Sequence, residues 1–269
     1  MLNDIKKYTE ANRQAWNKVM PAHQSAQQAT LDRSFANPGY VIQEAPELLN
    51  AFKDVGIKDK DIIHLCCNNG SELLSLRNMG AGRCVGVDIS DIAIIEAQQR
   101  ADLFDINCQF VRSDIYELPE SLMNSFDIVH ISAGGIGWLP DLNQFYKVVS
   151  GLLRQGGLLL MHEMHPLSEI LPFDDNDSAP PLQVVESYFQ DEPIEEEASL
   201  DYVSKDFSQK QIQYWKVHTL SELITGAINN NLTITHLSEY DRDISAMHSR
   251  QAELAIKVPL SLILIASKQ

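Results

Sequence analysis

The stretch that decides the fold is residues 61–90, DIIHLCCNNGSELLSLRNMGAGRCVGVDIS. It opens with a short apolar run at 62–65, which is typical of a strand buried in a parallel sheet. The run breaks at 68–70, Asn-Asn-Gly, a cluster that favours a turn. A helical run follows with Ser71 as its predicted N-cap, and a second apolar strand then ends at Asp88. The order strand, tight turn, helix, strand predicts one unit of a parallel α/β sheet.

This turn also predicts a binding site, because it aims backbone N–H groups and a helix N-terminus at whatever lies beside it. Asp88 follows Gly70 by 18 residues, which suits a carboxylate that accepts both hydroxyls of a ribose. The G-x-G-x-x-G of dinucleotide folds is missing, since Cys66 and Asn68 occupy the other small positions. Asn68 can still take the left-handed conformation that a tight turn needs. The pattern favours S-adenosylmethionine, which has no pyrophosphate, over NAD. The alternative is a plain strand–helix–strand unit with Asp88 as a cap.

The same alternation of strands and helices continues along the chain. Polar residues stand where the predicted strands end, namely Asp88, Asp114, Ser132, Glu163 and His165. Because ligands of parallel sheets bind at the carboxyl ends of the strands, we expect these side chains around one site. The predicted elements are a helix over 91–104 with Ile92, Ile95 and Leu103 on its apolar side, strands at 108–111, 126–131 and 158–161, and a helix over 140–153 closed by Arg-Gln-Gly-Gly at 154–157.

The two ends of the chain add further elements. A helix is predicted over 3–20, and both a packing role and a role as a lid over the site are open for it. Another helix, over 219–230, begins with a capping box of Thr219 and Glu222. Its predicted apolar face is Leu220, Leu223, Ile224 and Ile228, and further strands are predicted at 211–217, 232–237 and 260–266.

Several segments between residues 60 and 166 occur together in one order: HLCCNNG, VGVDIS, FVRSDIYELP, FDIVHIS and LLRQGGLLLMHEMHP. In combination they resemble the motifs of class I S-adenosylmethionine-dependent methyltransferases. The likeness extends to bacterial members with unassigned substrates, which carry N-R-x-A-W-N followed by a histidine, W-L-P-D-L, and E-x-H-P. Here these segments are residues 12–17 with His23, 138–142 and 163–166.

The resemblance implies a Rossmann-like, doubly wound α/β sheet of seven strands, mostly parallel, with an antiparallel last strand beside the sixth. It also implies a single domain over the whole chain. The predicted parts are an N-terminal helical lid over 1–45, a cofactor-binding core over 46–166, an acidic insertion that caps the substrate over 167–217, and a C-terminal helix and strands over 218–269.

The resemblance further implies which residues hold the cofactor S-adenosylmethionine and its product S-adenosylhomocysteine. The turn after the first strand would contact the methionine moiety, Asp88 the ribose hydroxyls and Asp114 the adenine amino group, with Ile89 over the ring. The predicted cofactor residues are Trp16, His23, Cys66, Cys67, Asn68, Gly70, Asp88, Ile89, Ser113, Asp114, Ile115 and Ser132. The predicted substrate pocket is Trp138, Tyr188 and His218, and the predicted general base is His165, with a purely structural role as the alternative for each histidine.

Charge and hydropathy limit the partners. The 269-residue chain has 37 acidic against 21 basic residues and a net charge of −16. Nucleic acid and anionic membranes attract basic surface, so neither is expected as a partner. A polar N-terminus and the lack of an apolar run of about 18 residues predict neither a signal peptide nor a transmembrane helix, hence a cytoplasmic protein. The cysteines, at 66, 67, 84 and 108, are expected to be reduced and show no metal-ligand spacing, so no metal site is predicted.

The predicted function is methyl transfer to a small-molecule acceptor. A non-catalytic S-adenosylmethionine-binding module of the same fold is the alternative, because the turn departs from the glycine-rich pattern. An NAD-dependent dehydrogenase is disfavoured by the missing glycines and by the seventh strand. The acidic stretch 174–206 is interpreted either as a solvated loop or as a cap over the substrate, with Phe173, Tyr188, Phe189 and Tyr202 contributing to the cap.

Overall fold

The computed structural model describes residues 5–43, 45–176, 178–203 and 208–269. Its helices are α1 (Ile5–Phe35), α2 (Pro46–Val55), α3 (Ser71–Asn78), α4 (Asp91–Leu103), α5 (Leu142–Leu152), α6 (Leu220–Asn229) and α7 (Ser249–Ala252). Its strands are β1 (Ile62–Leu65), β2 (Cys84–Asp88), β3 (Gln109–Arg112), β4 (Phe126–Ser132), β5 (Leu153–Met164), β6 (Ile194–Ala198), β7 (Gln211–Trp215), β8 (Leu232–Tyr240) and β9 (Ser261–Lys268).

Seven strands form the main sheet, in the order β3-β2-β1-β4-β5-β9-β8. Neighbours from β3 to β5 are parallel, and β9 is antiparallel to both β5 and β8. The chain reverses its direction of winding between β1 and β4, and in doubly wound sheets this switch opens a crevice at the carboxyl ends of the strands. The predicted Rossmann-like sheet is confirmed, including its antiparallel last strand, which lies between the fifth strand and the sixth strand of this sheet, β8.

Apolar side chains form a separate core on each face of the sheet. The core that includes α5 and α6 contains Val129, Ile131 and Tyr146, and the core that includes α2 and α3 contains Phe52 and Leu160, all fully buried. Successive residues of a strand point to opposite faces, so a strand covered on both sides needs apolar residues at nearly every position. This is why the parts of these strands that are covered on both sides are short apolar runs in the sequence, such as 128–129 in β4 and 158–161 in β5.

The N-terminal helix is longer than predicted, running over Ile5–Phe35 instead of 3–20. Pro21 lies inside it, and the missing N–H of this proline forfeits one intrahelical hydrogen bond without ending the helix. Tertiary contacts hold the helix in place. The Asn12 side chain donates to Tyr214 O and accepts from Tyr214 N, both at 2.7 Å. These hydrogen bonds hold α1 against β7, and the helix also packs against α4.

The buried face of α4 differs from the predicted one. Ile95 is 53% exposed and Leu103 is 66% exposed, so the predicted apolar side is wrong. Small side chains face the sheet instead and let the helix approach closely, since Ala97 lies directly behind Gly70. The buried residues of α4 are Ala93, Glu96, Ala97, Arg100 and Ala101, of which the two charged ones form an ion pair at 2.7 Å.

The capping box predicted for α6 is confirmed. Thr219 Oγ1 accepts from Glu222 N, and the Glu222 carboxylate accepts from Thr219 N. The apolar face is narrower than predicted, because Leu223 and Ala227 are buried whereas Ile228 is 59% exposed. Ala227, one turn after Leu223, takes the position against the core, and Ile228 is rotated away from it.

Two element ends also differ from the sequence prediction. The N-cap of α3 is Gly70 (φ 73°) rather than Ser71, whose hydroxyl donates to Asn69 Oδ1 at 2.8 Å. Only a left-handed residue lets the chain enter the helix from the tight turn, which favours glycine. The second difference is at the end of α5, which ends at Leu152. Residues 154–157, predicted as its cap, belong to β5 instead, because the chain pairs with β4 as soon as the helix ends.

The described residues of the acidic insertion include two strands that form a small separate sheet. Its strand β6 pairs antiparallel with β7, with Glu196 opposite Gln213. Successive residues of a strand point to opposite faces, so the exposure of the adjacent Glu196 and Glu197 shows that both faces of β6 meet solvent here. The hairpin is joined to α1 through the Asn12 hydrogen bonds to Tyr214, so part of the insertion is fixed beside the crevice.

Candidate functional site: a cavity at the carboxyl ends of the strands

A cavity of about 210 Å³ opens at the carboxyl ends of β1, β2 and β4, beside α1. This is the edge of the sheet where the polar strand-end residues were expected to meet. The predicted site residues that line the cavity are Trp16, Cys66, Cys67, Asn68, Asp88, Ile89, Asp114, Ile115, Ser132 and Trp138. Tyr202 from the acidic insertion also lines it, as do Met20, His64 and Glu72, which the sequence did not single out.

The turn after β1 presents its backbone to the cavity. Cys66 (φ 54°), Asn68 (φ 48°) and Gly70 (φ 73°) are all left-handed, as predicted for Asn68. A left-handed residue other than glycine costs about 1–2 kcal/mol, which the surrounding structure must hold in place. Burial raises the pKa of the Cys66 and Cys67 thiols well above their usual value, so both are neutral. The turn therefore offers backbone groups and neutral thiols, and no thiolate nucleophile.

Asp88 ends β2 with both carboxylate oxygens held in place. Oδ2 accepts from Asn68 N and Oδ1 accepts from Ser90 N, each at 2.8 Å. Burial raises the pKa of this carboxyl, while the backbone N–H donors oppose the shift by favouring the charged form. Each oxygen keeps a lone pair for a further hydrogen bond, and Asp88 lines the cavity. Two oriented acceptors on one carboxylate suit a ligand with two adjacent hydroxyl groups.

Gly70 supports the turn from behind. A Cβ at this position would lie 2.5 Å from Phe110 Cε1 and 2.8 Å from Ala97 Cβ, and the positive φ would strain any other residue. Of the residues predicted to touch the cofactor, Gly70 is therefore needed for the close packing of the turn on β3 and α4. Its predicted contact with the ligand stays a prediction.

The chain after β3 turns at Asp114, whose Oδ1 accepts from Tyr116 N at 3.0 Å. Ile115 follows and is almost fully buried, so a carboxylate and an apolar side chain stand next to each other on the cavity wall. Ser113 is placed differently, because its hydroxyl donates to Asp114 O at 3.0 Å and to Glu117 O at 3.2 Å. Ser113 braces this turn, and its predicted cofactor contact stays a prediction.

Aromatic side chains from separate elements form the wall of the cavity beneath α1. The rings of Trp16 and Trp138 meet edge to face with centroids 5.5 Å apart. His23 lies one layer back, with its ring 4.8 Å from that of Tyr202 and its Nε2 3.1 Å from Leu200 O. Burial lowers the pKa of His23, so the ring is neutral at pH 7. Trp16, Trp138 and Tyr202 are thus the aromatic groups that a ligand would meet.

The histidine predicted as general base is already engaged on both ring nitrogens. His165 Nδ1 accepts from Leu167 N at 3.0 Å, so the ring hydrogen is on Nε2, which lies 2.9 Å from Glu239 Oε1. His218, predicted in the substrate pocket, is buried with Nε2 2.8 Å from Leu139 O. Neither ring is among the described residues that line the cavity. Their predicted roles stay predictions, with structural contacts accounting for both side chains.

The aromatic residues predicted as a cap do not come together at one place. Tyr202 lines the cavity, whereas the hydroxyl of Tyr188 accepts from Leu220 N at 3.0 Å at the start of α6. Phe189 is 79% exposed, and the ring of Phe173 packs against His248. The described part of the acidic insertion therefore brings Tyr202 to the site and leaves Tyr188 away from the lining.

Glu163 fixes the loop after β4. Its carboxylate accepts from Gly134 N at 2.7 Å and from Ile136 N at 3.0 Å, and Gly134 and Gly135 line the cavity. Burial raises the pKa of Glu163 to about 7, while the backbone donors act in the opposite direction. Glu163 is the glutamate of the E-x-H-P segment. In the structure its carboxylate holds the backbone of the loop that forms this part of the cavity wall.

The base of the cavity holds a buried polar cluster that the sequence did not predict. His64 on β1 lies opposite His130 on β4, with ring centroids 4.6 Å apart. Glu72, from the first turn of α3, contacts His130 Nε2, and His64 Nε2 lies 3.2 Å from Ser132 Oγ. Burial lowers the pKa of His64 to about 3, so this imidazole is neutral. The only signal in the sequence was a histidine inside each of two otherwise apolar strands.

Comparison with known proteins agrees with this architecture. Residues 62–157 match the sequence profile of a family described as a methyltransferase domain. Phthiotriol/phenolphthiotriol dimycocerosates methyltransferase 1 of Mycobacterium ulcerans is 28% identical over 130 residues, which are 48% of this chain and 46% of that protein. A tRNA U34 carboxymethyltransferase of Aliivibrio salmonicida is 27% identical over 115 residues, 43% of this chain and 28% of that protein. The chain thus spans less than half the length of these curated relatives.

The same fold occurs among solved structures. An S-adenosylmethionine dependent methyltransferase from Mesorhizobium loti superposes with a TM-score of 0.60 at 19% sequence identity. The alignment covers 84% of this chain and 97% of that one. At this identity the likeness establishes a common fold, which extends well beyond the residues that match the family profile.

Proposed function

We propose that this chain, in which residues 62–157 belong to the methyltransferase-domain family, transfers the methyl group of S-adenosylmethionine to a small-molecule acceptor. The observation that carries the proposal is Asp88, which lines the cavity with each carboxylate oxygen oriented by a backbone N–H group. An oriented pair of acceptors at the end of β2 is what a ribose diol needs. The family match and the fold support the same cofactor.

The residues of the cavity fit S-adenosylmethionine. Asp88 would accept from the ribose hydroxyls, Ile89 and Ile115 would cover the adenine ring, and Asp114 would accept from its amino group. The left-handed turn at 66–70 would bind the methionine moiety through backbone groups. When bound, the cofactor supplies a methyl group on a positively charged sulfur, and two carboxylates on the cavity wall favour a cation.

The residues of the chain would position the two reactants and exclude water from the cavity. Transfer of a methyl group requires the attacking atom in line with the sulfur, so holding the two reactants in place supplies most of the catalysis. Trp16, Trp138 and Tyr202 enclose the space beside the cofactor turn and would remove water from it. Both nitrogens of His165 are engaged in hydrogen bonds, so the proposal requires no proton transfer to that residue.

A small acceptor is supported by the cover over the cavity and by charge. α1 is joined to β7 by Asn12 and to the start of α4 by Asn17, whose Nδ2 donates to Asp91 Oδ2 at 2.8 Å. Because α1 is held at both places, the cavity beneath it would admit only small molecules. The net charge of −16 opposes binding of a nucleic acid, so the proposal excludes RNA even though one relative is a tRNA-modifying enzyme.

Two further observations bear on the setting of the protein. All four cysteines are free, which suits a reducing compartment, and we include a cytoplasmic location in the proposal. Separately, the helices of the described residues do not combine the length and the hydropathy that crossing a bilayer requires.

Variants at Asp88 test the proposed cofactor site. Asp88→Asn keeps the size of the side chain and removes its charge, and a lost charge-assisted hydrogen bond costs about 1.5–3 kcal/mol. The affinity for S-adenosylhomocysteine, measured by calorimetry, should therefore fall at least about tenfold. Asp102→Asn, on the exposed side of α4, is the matched control and should bind like the wild type. Unchanged affinity in a folded Asp88→Asn variant would remove Asp88 from the site.

Methyl transfer is tested separately from binding. The wild type is incubated with S-adenosylmethionine and a panel of small amines, carboxylic acids and phenols, and the S-adenosylhomocysteine formed is measured. Formation that depends on one acceptor class and is lost in Asp88→Asn supports the enzyme. Tight cofactor binding without product over the whole panel would instead support the non-catalytic binding module, which the departure from glycine at Cys66 and Asn68 favours.

A further inference from the structure

The fold brings together two histidines and a glutamate that are distant in the sequence. His64 and His130 are opposite each other on neighbouring parallel strands, and Glu72 enters from the first turn of α3. One donor atom from each of the three side chains lies within 4.8 Å of the others. Within the described residues this is the one group of three or more such side chains arranged closely enough to share a metal ion.

Hydrogen bonding fixes the orientation of His130. Its Nδ1 lies 2.9 Å from Leu160 O, and because a carbonyl oxygen can only accept, Nδ1 carries the hydrogen. Nε2 therefore faces Glu72. Metal-bound histidines commonly donate the hydrogen of one ring nitrogen to a backbone carbonyl, so this orientation leaves Nε2 of His130 as the nitrogen that could bind a metal.

His64 provides an independent observation. The side chain is 2% exposed, and its Nδ1 is buried without a hydrogen-bond partner among the described residues. A buried polar atom without a partner costs about 1–3 kcal/mol, so such atoms are rare unless something binds them. The other nitrogen, Nε2, lies 3.2 Å from Ser132 Oγ. The ring is thus placed beside His130 with spare binding capacity.

We propose that His64, Glu72 and His130 form a site for one divalent transition-metal ion, of which Zn²⁺ is the representative. Two imidazoles and one carboxylate are a ligand set that Zn²⁺ and its first-row neighbours accept, and three protein ligands leave a coordination position open. His64 and Glu72 also line the cavity, so the open position faces the space proposed for cofactor and acceptor. The site lies outside the cofactor-binding residues that the sequence predicted.

Ion binding needs a small rearrangement that the structure allows. Zinc holds its nitrogen and oxygen ligands about 3.3 Å apart, given metal–ligand distances of about 2.0–2.2 Å. Glu72 would move away from His130 to admit the ion, and its side chain has room because it is 29% exposed while that of His130 is fully buried. His130 stays anchored to Leu160 O. The ion would thus enter from the cavity side.

The competing explanation is a proton instead of a metal. In this explanation a hydrogen lies between His130 Nε2 and the Glu72 carboxylate, and the two side chains form an ion pair. That hydrogen accounts for their contact. This explanation involves only two of the three side chains, whereas the metal site also uses His64 as a ligand. The two explanations differ in what the protein takes up from solution.

The test uses the full chain, freed of metal by a chelator, without cofactor. Titration with Co²⁺, followed by visible absorption, and with Zn²⁺, followed by calorimetry, should show one ion bound per chain. Glu72→Gln and His64→Ala should each weaken binding by more than about tenfold. His236→Ala, which removes an exposed histidine on β8, is the matched control and should leave the affinity unchanged.

Crystals grown with Zn²⁺ decide the matter even if a variant fails to fold. An anomalous difference peak among the three donor atoms of the wild type would establish the site. A folded wild type that binds neither ion, or a peak only elsewhere, would overturn the proposal in favour of the shared proton. Since no step uses S-adenosylmethionine, the result is independent of the proposed function.

Discussion

Gly70 and Gly56 share a φ of 73° but have different surroundings. A Cβ on Gly70 would lie 2.5 Å from Phe110 Cε1, whereas one on Gly56 would meet nothing within 4 Å. Gly70→Ala should therefore lose about 1–3 kcal/mol more stability than Gly56→Ala, because both variants carry the backbone strain and only the first is overpacked. Urea unfolding of the two variants measures the difference. Equal losses would show that the turn does not depend on close packing against β3.

Glu163 is expected to make stability depend on pH. Its folded-state pKa of about 7 is above the ordinary value of 4.5, so the folded protein binds the proton more tightly than the unfolded chain does. The resulting stabilisation is fully present below pH 4.5 and is lost as the pH rises towards 7. Its size is on the order of 3 kcal/mol.

The comparison with Glu163→Gln isolates this effect from the other acids. Glutamine does not titrate, so the free energy of unfolding of the wild type relative to the variant should decrease between pH 5 and pH 8. Urea unfolding at both pH values gives the four free energies required. A constant difference would mean that Glu163 is already ionised throughout this range, held by its hydrogen bonds to Gly134 N and Ile136 N.

At the scale of elements, the attachment of α1 to β7 depends on one side chain. Asn12→Ala would leave the buried N–H and C=O of Tyr214 without these hydrogen bonds, at a cost of about 1–3 kcal/mol for each. We expect a lower melting temperature and faster amide hydrogen exchange in β7 and the first half of α1. Gln14→Ala, on the exposed side of the same helix, is the control. Equal exchange in both variants would show that α1 is held mainly by other contacts.

Elements were predictable where the signal is local. The capping box at Thr219 and the left-handed Asn68 follow from hydrogen bonds within a few residues, and both are found in the structure. The buried face of α4 was not predictable from apolar spacing, because the close approach to the sheet selects alanines and leaves Ile95 exposed. Likewise Pro21 does not end α1, because the loss of one intrahelical hydrogen bond is small beside the contacts that Asn12 makes with Tyr214.

At the scale of the whole molecule, the topology explains which site residues could be predicted. The strand ends that supply Asp88 and Asp114 follow from the alternation of strands and helices, since parallel strands place their carboxyl ends at one edge. The cluster of His64, Glu72 and His130 depends on the register between β1 and β4, which the sequence does not specify. Side chains that meet through long-range register therefore became visible only in the fold.

The net charge of the whole molecule limits which methyl acceptors it can bind. With a net charge of −16, the protein should not bind bulk tRNA even at low ionic strength, where phosphate contacts are strongest. Filter binding at low and moderate salt checks this expectation. Saturable binding that weakens steeply with salt would show a basic surface strong enough to overcome the net charge, and would argue for a nucleic-acid acceptor.

The measurement that tests the central claim most directly is a calorimetric titration of the purified wild type with S-adenosylmethionine and S-adenosylhomocysteine, with NAD as control. The cavity at Asp88 predicts one site per chain that binds both ligands in the micromolar range and does not bind NAD. A folded protein that binds neither ligand would contradict the assignment of this cavity as a cofactor site, and the proposed methyl transfer would fall with it.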